Sequence, residues 1–137
     1  MTRNPLRHLL PLATAALIGL SLPATAAVQR TFVASTGSDA NPCSLTLPCR
    51  GFAAALVQTS PGGEIIVLDS AGYGPVVINK AVSIIAPAGI YAGVTAGSGN
   101  GIVVNAPGGH VVLRGLEING LGTSTGSCER IAAAPAA

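Results

Sequence analysis

Few residues in this chain could do chemistry: the acids Asp39, Glu64, Asp69, Glu117 and Glu129, the histidines His8 and His110, and Cys43, Cys49 and Cys128. A glycosidase needs two carboxylates across one site, and a calcium-dependent lyase needs several acids around its ion. Glu64 and Asp69 bracket a single apolar run and would stand about 17 Å apart on an extended strand. Arg114 and Glu117, three residues apart in the last apolar run, are expected on opposite faces. Only Glu117 brought beside Asp69 by strand stacking would unite two acids. His110 opens "HVVLR", but "AGSGNG" (96 to 101) lacks the G-x-S-x-G spacing of a nucleophile elbow. It also misses G-x-G-x-x-G and runs into a strand where a phosphate cradle needs a helix, so it reads as a turn. Asp39-x-Asn41 begins like a calcium loop, yet the later oxygen ligands and closing Glu are missing, which leaves turn chemistry. No catalytic residue, metal site or cofactor is assigned.

The cysteines point to a crosslink. Cys43 and Cys49 stand in "NPCSLTLPCR", each directly after a proline that restricts the loop backbone. A metal pair would need further Cys or His ligands nearby, and the only histidine of the mature chain is His110. A Cys43–Cys49 disulfide is therefore expected, contributing about 2 kcal/mol for so short a loop. Cys128 is left over, which in an exported chain means a free thiol or an intermolecular bond.

Export is indicated by the N-terminus. Arg3 and Arg7 precede the apolar stretch "LLPLATAALIGLSL", and Ala24-Thr25-Ala26 fits a signal-peptidase site, so residues 1–26 read as a signal peptide. Leu9 to Leu22 is short for a bilayer, whose crossing takes about 20 apolar residues. Removing Arg3 and Arg7 from the seven basic residues leaves five, against five acids. The mature chain is formally neutral, and its remaining basic residues are scattered. Nucleic-acid binding is excluded on that ground, and no membrane association is expected after cleavage.

These residues must be positioned by short strands. "RTFVAS" (30 to 35) reads as a strand closed by the turn residues of "TGSDANP". Within 49–59, Phe52, Ala55, Leu56 and Thr59 fall on one helical face, and "SPGG" (60 to 63) is expected to end that helix. Beyond it the apolar runs are Ile65 to Leu68, Val76 to Ile78, Val82 to Ile85, a weaker one at Ile90 to Val94, Ile102 to Val104, and Val111 to Leu113 with Leu116 and Ile118. They are short and joined by Gly-rich links too brief for crossover helices, which excludes a doubly wound sheet. An antiparallel sandwich and a parallel β-solenoid remain. Ile65, Ile84 and Val103 recur at nineteen residues, "PGGEIIVL" and "PGGHVVLR" at forty-six, and Asn79, Asn105 and Asn119 each close a run. This repetition favours the solenoid, as does an interior of Val and Ile with no Trp.

The stretch "TFVASTGSDANPCSLTLPCRGFAAALVQTSPGGEIIVLDSAGYGPVVINKAVSIIA" (31 to 86) resembles the entry region of pectate-lyase-like, right-handed parallel β-helix proteins. These open with a strand, a "GSD-x-NP" loop and "P-[CF]-x-[TS]-[IF]-x-x-AL". "PGD-x-I-x-[VL]" and "I-x-K-x-[VL]-x-[IL]-[IL]-G" follow. The likeness falls on Gly37, Ser38, Asp39, Asn41 and Pro42, then Pro48, Phe52, Ala55 and Leu56. It continues through Pro61, Gly62, Ile65 and Val67 to Ile78, Lys80, Val82, Ile84 and Ile85. Gly51 replaces a small hydroxyl residue, Glu64 stands where Asp is usual, and Ala86 replaces Gly. The resemblance implies an all-β, right-handed parallel β-helix of about three coils, with the helix carrying Phe52 and Leu56 as its N-terminal cap. It carries over no catalytic residue, because the acids and the base of the family's enzymes lie on later coils.

The expected organisation is a signal peptide (1–26), an N-terminal strand, disulfide loop and capping helix (27–61), coils (62–121) and a low-complexity tail (122–137). The tail "GTSTGSCERIAAAPAA" reads either as a disordered C-terminus or as the mark of a truncated or frame-shifted longer protein. The expected function is a secreted or periplasmic, non-catalytic module binding polysaccharide or cell-envelope material, with Tyr73 and Tyr91 as the available aromatic platforms. The alternative is the N-terminal fragment of a polysaccharide lyase or glycoside hydrolase. N-terminal sequencing of the exported product is expected to begin at Ala27 or Val28. Recovery of an intact Met1 on a membrane-integrated protein would exclude the signal peptide.

Overall fold

A computed structural model describes residues 28–121 and the strand at 132–133. The signal-peptide segment, Cys128 and the rest of the tail lie outside the described residues. In chain order the elements are β1 (Val28–Val33), α1 (Phe52–Gln58), β2 (Thr59–Val67), β3 (Ala71–Gly72), β4 (Val76–Ile78), β5 (Val82–Ile85), β6 (Ala92–Ala96), β7 (Ile102–Val104), β8 (Val111–Arg114), β9 (Leu116–Gly120) and β10 (Ala132–Ala133). Among the described residues the chain is all-β apart from a single short helix. Every strand pairing is parallel, and the strands form three sheets, β1-β2-β5-β8, β3-β6-β9 and β4-β7-β10. From β2 onward, successive strands enter the three sheets in rotation. This arrangement excludes the antiparallel sandwich. Among the described residues no helix is long and apolar enough to cross a membrane.

The core is made of inward rows that stay in register from strand to strand. Thr31 pairs with Ile65, Ile65 with Ile84 and Ile84 with Leu113. In the third sheet Val76 pairs with Ile102, and Ile78 with Val104. Thr31, Ile65, Ile84 and Ile78 are wholly buried, whereas Val77, between two inward neighbours, is 60% exposed. Small β-branched side chains suit this packing because each fills only the depth of one strand spacing, about 4.8 Å.

The nineteen-residue interval between Ile65 and Ile84 is therefore a true stacking repeat, but Val103 does not continue it. Val103 pairs with Val77 in the third sheet, and Leu113 lies over Ile84. The apolar triplets look alike in sequence because every sheet buries the same kind of row. The forty-six-residue recurrence does return to the first sheet, two residues out of step: Val111 aligns through Val82 with Gly63, not with Ile65. A slip of two preserves the inward face, so the pattern survives in sequence.

The helix is shorter than the periodic stretch that announces it. Cys49 forms a parallel bridge with Val33, and the backbone N–H groups of Arg50 and Gly51 both donate to Asp39 Oδ1 at 2.9 Å. The first turn therefore starts at Phe52. Phe52, Ala55 and Leu56 pack into the core, as the helical spacing requires. The residues 60–63 do not form a separate turn. Strand β2 begins at Thr59, and the register shift between Val28 and Arg30 absorbs Pro61 and Gly62 within it.

Cys43 and Cys49 are joined in a disulfide, with Cα atoms 4.6 Å apart. Cys43 has φ 55°, a left-handed conformation that an L-residue adopts at a cost of about 1 kcal/mol. There its carbonyl accepts the Phe32 N–H at 2.8 Å.

Between β8 and β9 the chain changes sheet on one residue. Gly115 takes φ +71°, and a Cβ there would lie 2.6 Å from the Ala86 carbonyl oxygen. Arg114 and Glu117 consequently sit on two strands separated by this corner, so the alternation of a single strand does not apply; both are exposed. Gly115→Ala is expected to destabilise the fold by about 2 kcal/mol, through left-handed strain and the carbonyl clash. The measurement is the urea midpoint by circular dichroism, and an unchanged midpoint would refute this account of the corner.

Candidate functional site

The acids are held apart by their partners. Glu64 Oε2 accepts the Arg30 guanidinium at 2.7 and 2.9 Å on the outer face of the first sheet. Asp39 is committed to the two N–H groups that start α1. Asp69 follows β2 and accepts the Ser35 backbone N–H at 2.8 Å, the Ser35 hydroxyl and the Tyr73 hydroxyl, whose oxygen also lies 2.6 Å from the Asp69 carbonyl. Glu117 pairs in the ladder with Gly93, and Gly93 with Gly72. It stands two strand spacings from Gly72, which already places it about 10 Å away from the strand that follows Asp69. The two acids are not brought together. Among the described residues no three His, Cys, Asp or Glu side chains are grouped to hold a metal ion.

Tyr73 is not an exposed platform, contrary to the expectation from sequence. It is 2% exposed, because its ring fills the space beside Phe52 with centroids 5.3 Å apart and lies under the Arg50 guanidinium. Arg50 Nη1 donates to the Gly72 carbonyl at 2.7 Å, tying the segment that leads into α1 to β3. Burial pushes the Tyr73 hydroxyl above its ordinary titration range, and the neighbouring Asp69 carboxylate pushes the same way. Tyr91 is 45% exposed and lies against Gly93, where a Cβ would meet the ring at 2.8 Å. It alone of the two rings is presented to solvent.

A concavity lies elsewhere, between α1 and β4. It is an open groove of about 370 Å³ lined by Ala53, Leu56, Val57, Pro75, Val76, Val77, Asn79, Lys80 and Asn100. Val57, at 77% exposed, and Val77 form its apolar lips. Asn79 follows β4 and Asn100 precedes β7, and because these neighbouring strands run parallel the two amides line the groove toward its opposite ends. Neither side-chain amide has a partner among the described residues. Lys80 Nζ donates to the Thr59 carbonyl at 2.6 Å, and this bond fixes the helix C-terminus against the sheet. A buried pair supports the same junction: Thr59 Oγ1 donates to the Ala55 carbonyl at 2.6 Å and receives the Thr31 hydroxyl at 2.8 Å. The groove can thus be rigid, with an apolar floor and a short polar rim.

Sequence reasoning did not find this site. Asn79 stood out only as a run-closing residue and Asn100 only as part of a Gly-rich turn. Their conjunction depends on which strands become neighbours. No protein-family model, curated protein or solved structure matches this chain.

The Ser35 hydroxyl above all, and then the Tyr73 hydroxyl, hold the Asp69 carboxyl below its ordinary 3.8. A carboxyl depressed in the folded state stabilises it fully above the ordinary value, and the contribution is lost as pH falls through the folded value. Asp69→Asn is therefore expected to lower the urea midpoint at pH 7 and to lose that difference as pH is taken well below 3.8. A gap between variant and parent that stays constant from pH 7 into strong acid would remove Asp69 as a charged fastener.

Proposed function

We propose that this chain is an exported, pectate-lyase-like, right-handed parallel β-helix, with α1 as its N-terminal cap, and that it is a non-catalytic module binding polysaccharide or cell-envelope glycan. Three parallel sheets visited in rotation, with inward aliphatic rows in register, support the β-helix. Phe52 and Leu56 buried at the β1–β2 end support the capping role.

The observation that carries the functional reading is the commitment of the acids. Asp39, Glu64 and Asp69 each serve a structural contact, and Glu117 stands without a second carboxylate. Bond cleavage in a glycan calls for charged groups preorganised toward one reacting centre, and these groups are preorganised toward the fold. The α1–β4 groove supports a binding role. Its volume lies in the range of ligand sites, about 300–1,000 Å³. The C–H faces of a pyranose suit the Val57 and Val77 lips, and the free amides of Asn79 and Asn100, toward the two ends of the groove, suit hydroxyls of successive units of a glycan.

Affinity electrophoresis of the exported chain through gels containing uncharged and acidic glycans is expected to show retardation by at least one of them. Asn79→Ala with Asn100→Ala should weaken that binding about tenfold, as the loss of one to two neutral hydrogen bonds implies. The same preparation, incubated with polygalacturonate with and without calcium, is expected to release neither unsaturated products nor new reducing ends. Turnover abolished by Asp69→Ala or Glu117→Ala would overturn the non-catalytic reading. Retardation indifferent to both asparagines would remove the groove as the binding site.

A further inference from the structure

The two ends of the strand stack are finished differently. At β1 the backbone edge facing away from β2 is occupied. Phe32 N–H donates to the Cys43 carbonyl at 2.8 Å, Cys49 N–H donates to the Phe32 carbonyl at 3.0 Å, and Ala34 N–H donates to the Cys49 carbonyl at 3.0 Å. The Cys43–Cys49 disulfide holds this loop in place. At the opposite end β8 and β9 are each the last strand of their sheet.

The β8 backbone shows which groups that end presents. Val82 N–H donates to the His110 carbonyl, and Ala86 N–H donates to the Arg114 carbonyl. Alternate residues of a strand turn their main-chain groups to opposite sides, so Val111 and Leu113 direct theirs away from β5. Among the described residues nothing pairs with them. The inward side chains are only half covered as well. Leu113, Leu116 and Ile118 are half-buried, while Ile84, Ala92 and Val94, their ladder partners one strand earlier, are fully buried. An unpaired edge over an apolar interior row is a template for another extended strand.

Charge selects the occupant. Arg114 and Glu117 are exposed on either side of the Gly115 corner at this same end, and neither side chain has a partner among the described residues. A positive and a negative group flanking one point form a patch complementary to itself under a two-fold axis through that point. We propose that the β8–β9 end is a homodimer interface, in which a second copy lies end to end with its β8 antiparallel over the first copy's β9. Each Arg114 then faces the Glu117 of the other copy. Because the disulfide loop occupies the β1 edge, the contact closes on itself and does not propagate into filaments.

The test is analytical ultracentrifugation of the exported chain carrying Cys128→Ser, which prevents a disulfide from imitating association. A concentration-dependent monomer–dimer equilibrium is expected. Arg114→Glu and Glu117→Arg should each weaken it by roughly tenfold or more, and the double exchange should restore it, since like charges repel and the exchanged pair attracts again. Restoration in the double variant separates a charge contact from a folding defect. A monomer at every concentration, with the Val111 and Leu113 amides protected from hydrogen exchange, would mean that the chain's own residues cover the edge. A monomer with those amides unprotected would mean that nothing does. Either result overturns the proposal, as does a dimer insensitive to the exchange or an open-ended polymer.

Discussion

Every part of this molecule depends on parallel strands lying in register, so that an inward aliphatic side chain of one strand rests on its equivalent in the next. The row Thr31, Ile65, Ile84 and Leu113 is the clearest instance. Because the side-chain period is two, a slip of one residue would move a whole row to solvent and drive the outer row inward. Register is consequently enforced wherever a row is buried, while the links between strands are free to vary. Nineteen residues separate Ile65 from Ile84, and twenty-nine separate Ile84 from Leu113, without disturbing the ladder.

That constraint leaves the N-terminal side of the stack to be closed by different means. There the polar residues act as fasteners. Asp39 starts α1, Arg50 joins the segment leading into the helix to β3, and Asp69 ties the end of β1 to Tyr73. Lys80 and the Thr31–Thr59 pair fix the helix C-terminus. These groups supply the direction that stacked aliphatic rows lack, because a hydrogen bond fails with a small misplacement whereas apolar contact tolerates it. A chain with so few charges has little left over for a reacting centre. Among the described residues, Asn79, Asn100, Arg114 and Glu117 are some of the side chains left without a partner, polar or charged surface groups suited to contact with something outside the fold.

The candidate groove illustrates why a site can be invisible in sequence. Its lips come from α1 and β4, and its amides come from the links on either side of two strands in one sheet. Asn79 and Asn100 are twenty-one residues apart, and nothing local in either segment marks a shared role. Tyr73 failed in the opposite sense. As one of two tyrosines in a Gly-rich link it had the composition of an exposed platform, but Phe52 and Arg50 converge on it and bury its ring. Its burial is decided by neighbours distant in sequence.

From the sequence alone came the properties that depend on neighbours within a few residues. The helical face of Phe52, Ala55 and Leu56, the apolar strand cores, the Gly-rich turns and the short disulfide loop are all of that kind. Local backbone geometry determines which side chains share a face, and a six-residue separation determines that Cys43 and Cys49 can meet. Only the tertiary structure decided which apolar run lies on which. Three sheets bury nearly identical rows, so Val103 could be matched to Ile84 as well as to Val77 by pattern, and only the path of the chain through space distinguishes them. The same path determined which acids became fasteners and which stayed free, because a hydrogen bond between Ser35 and Asp69 spans thirty-four residues and depends on two strands becoming neighbours.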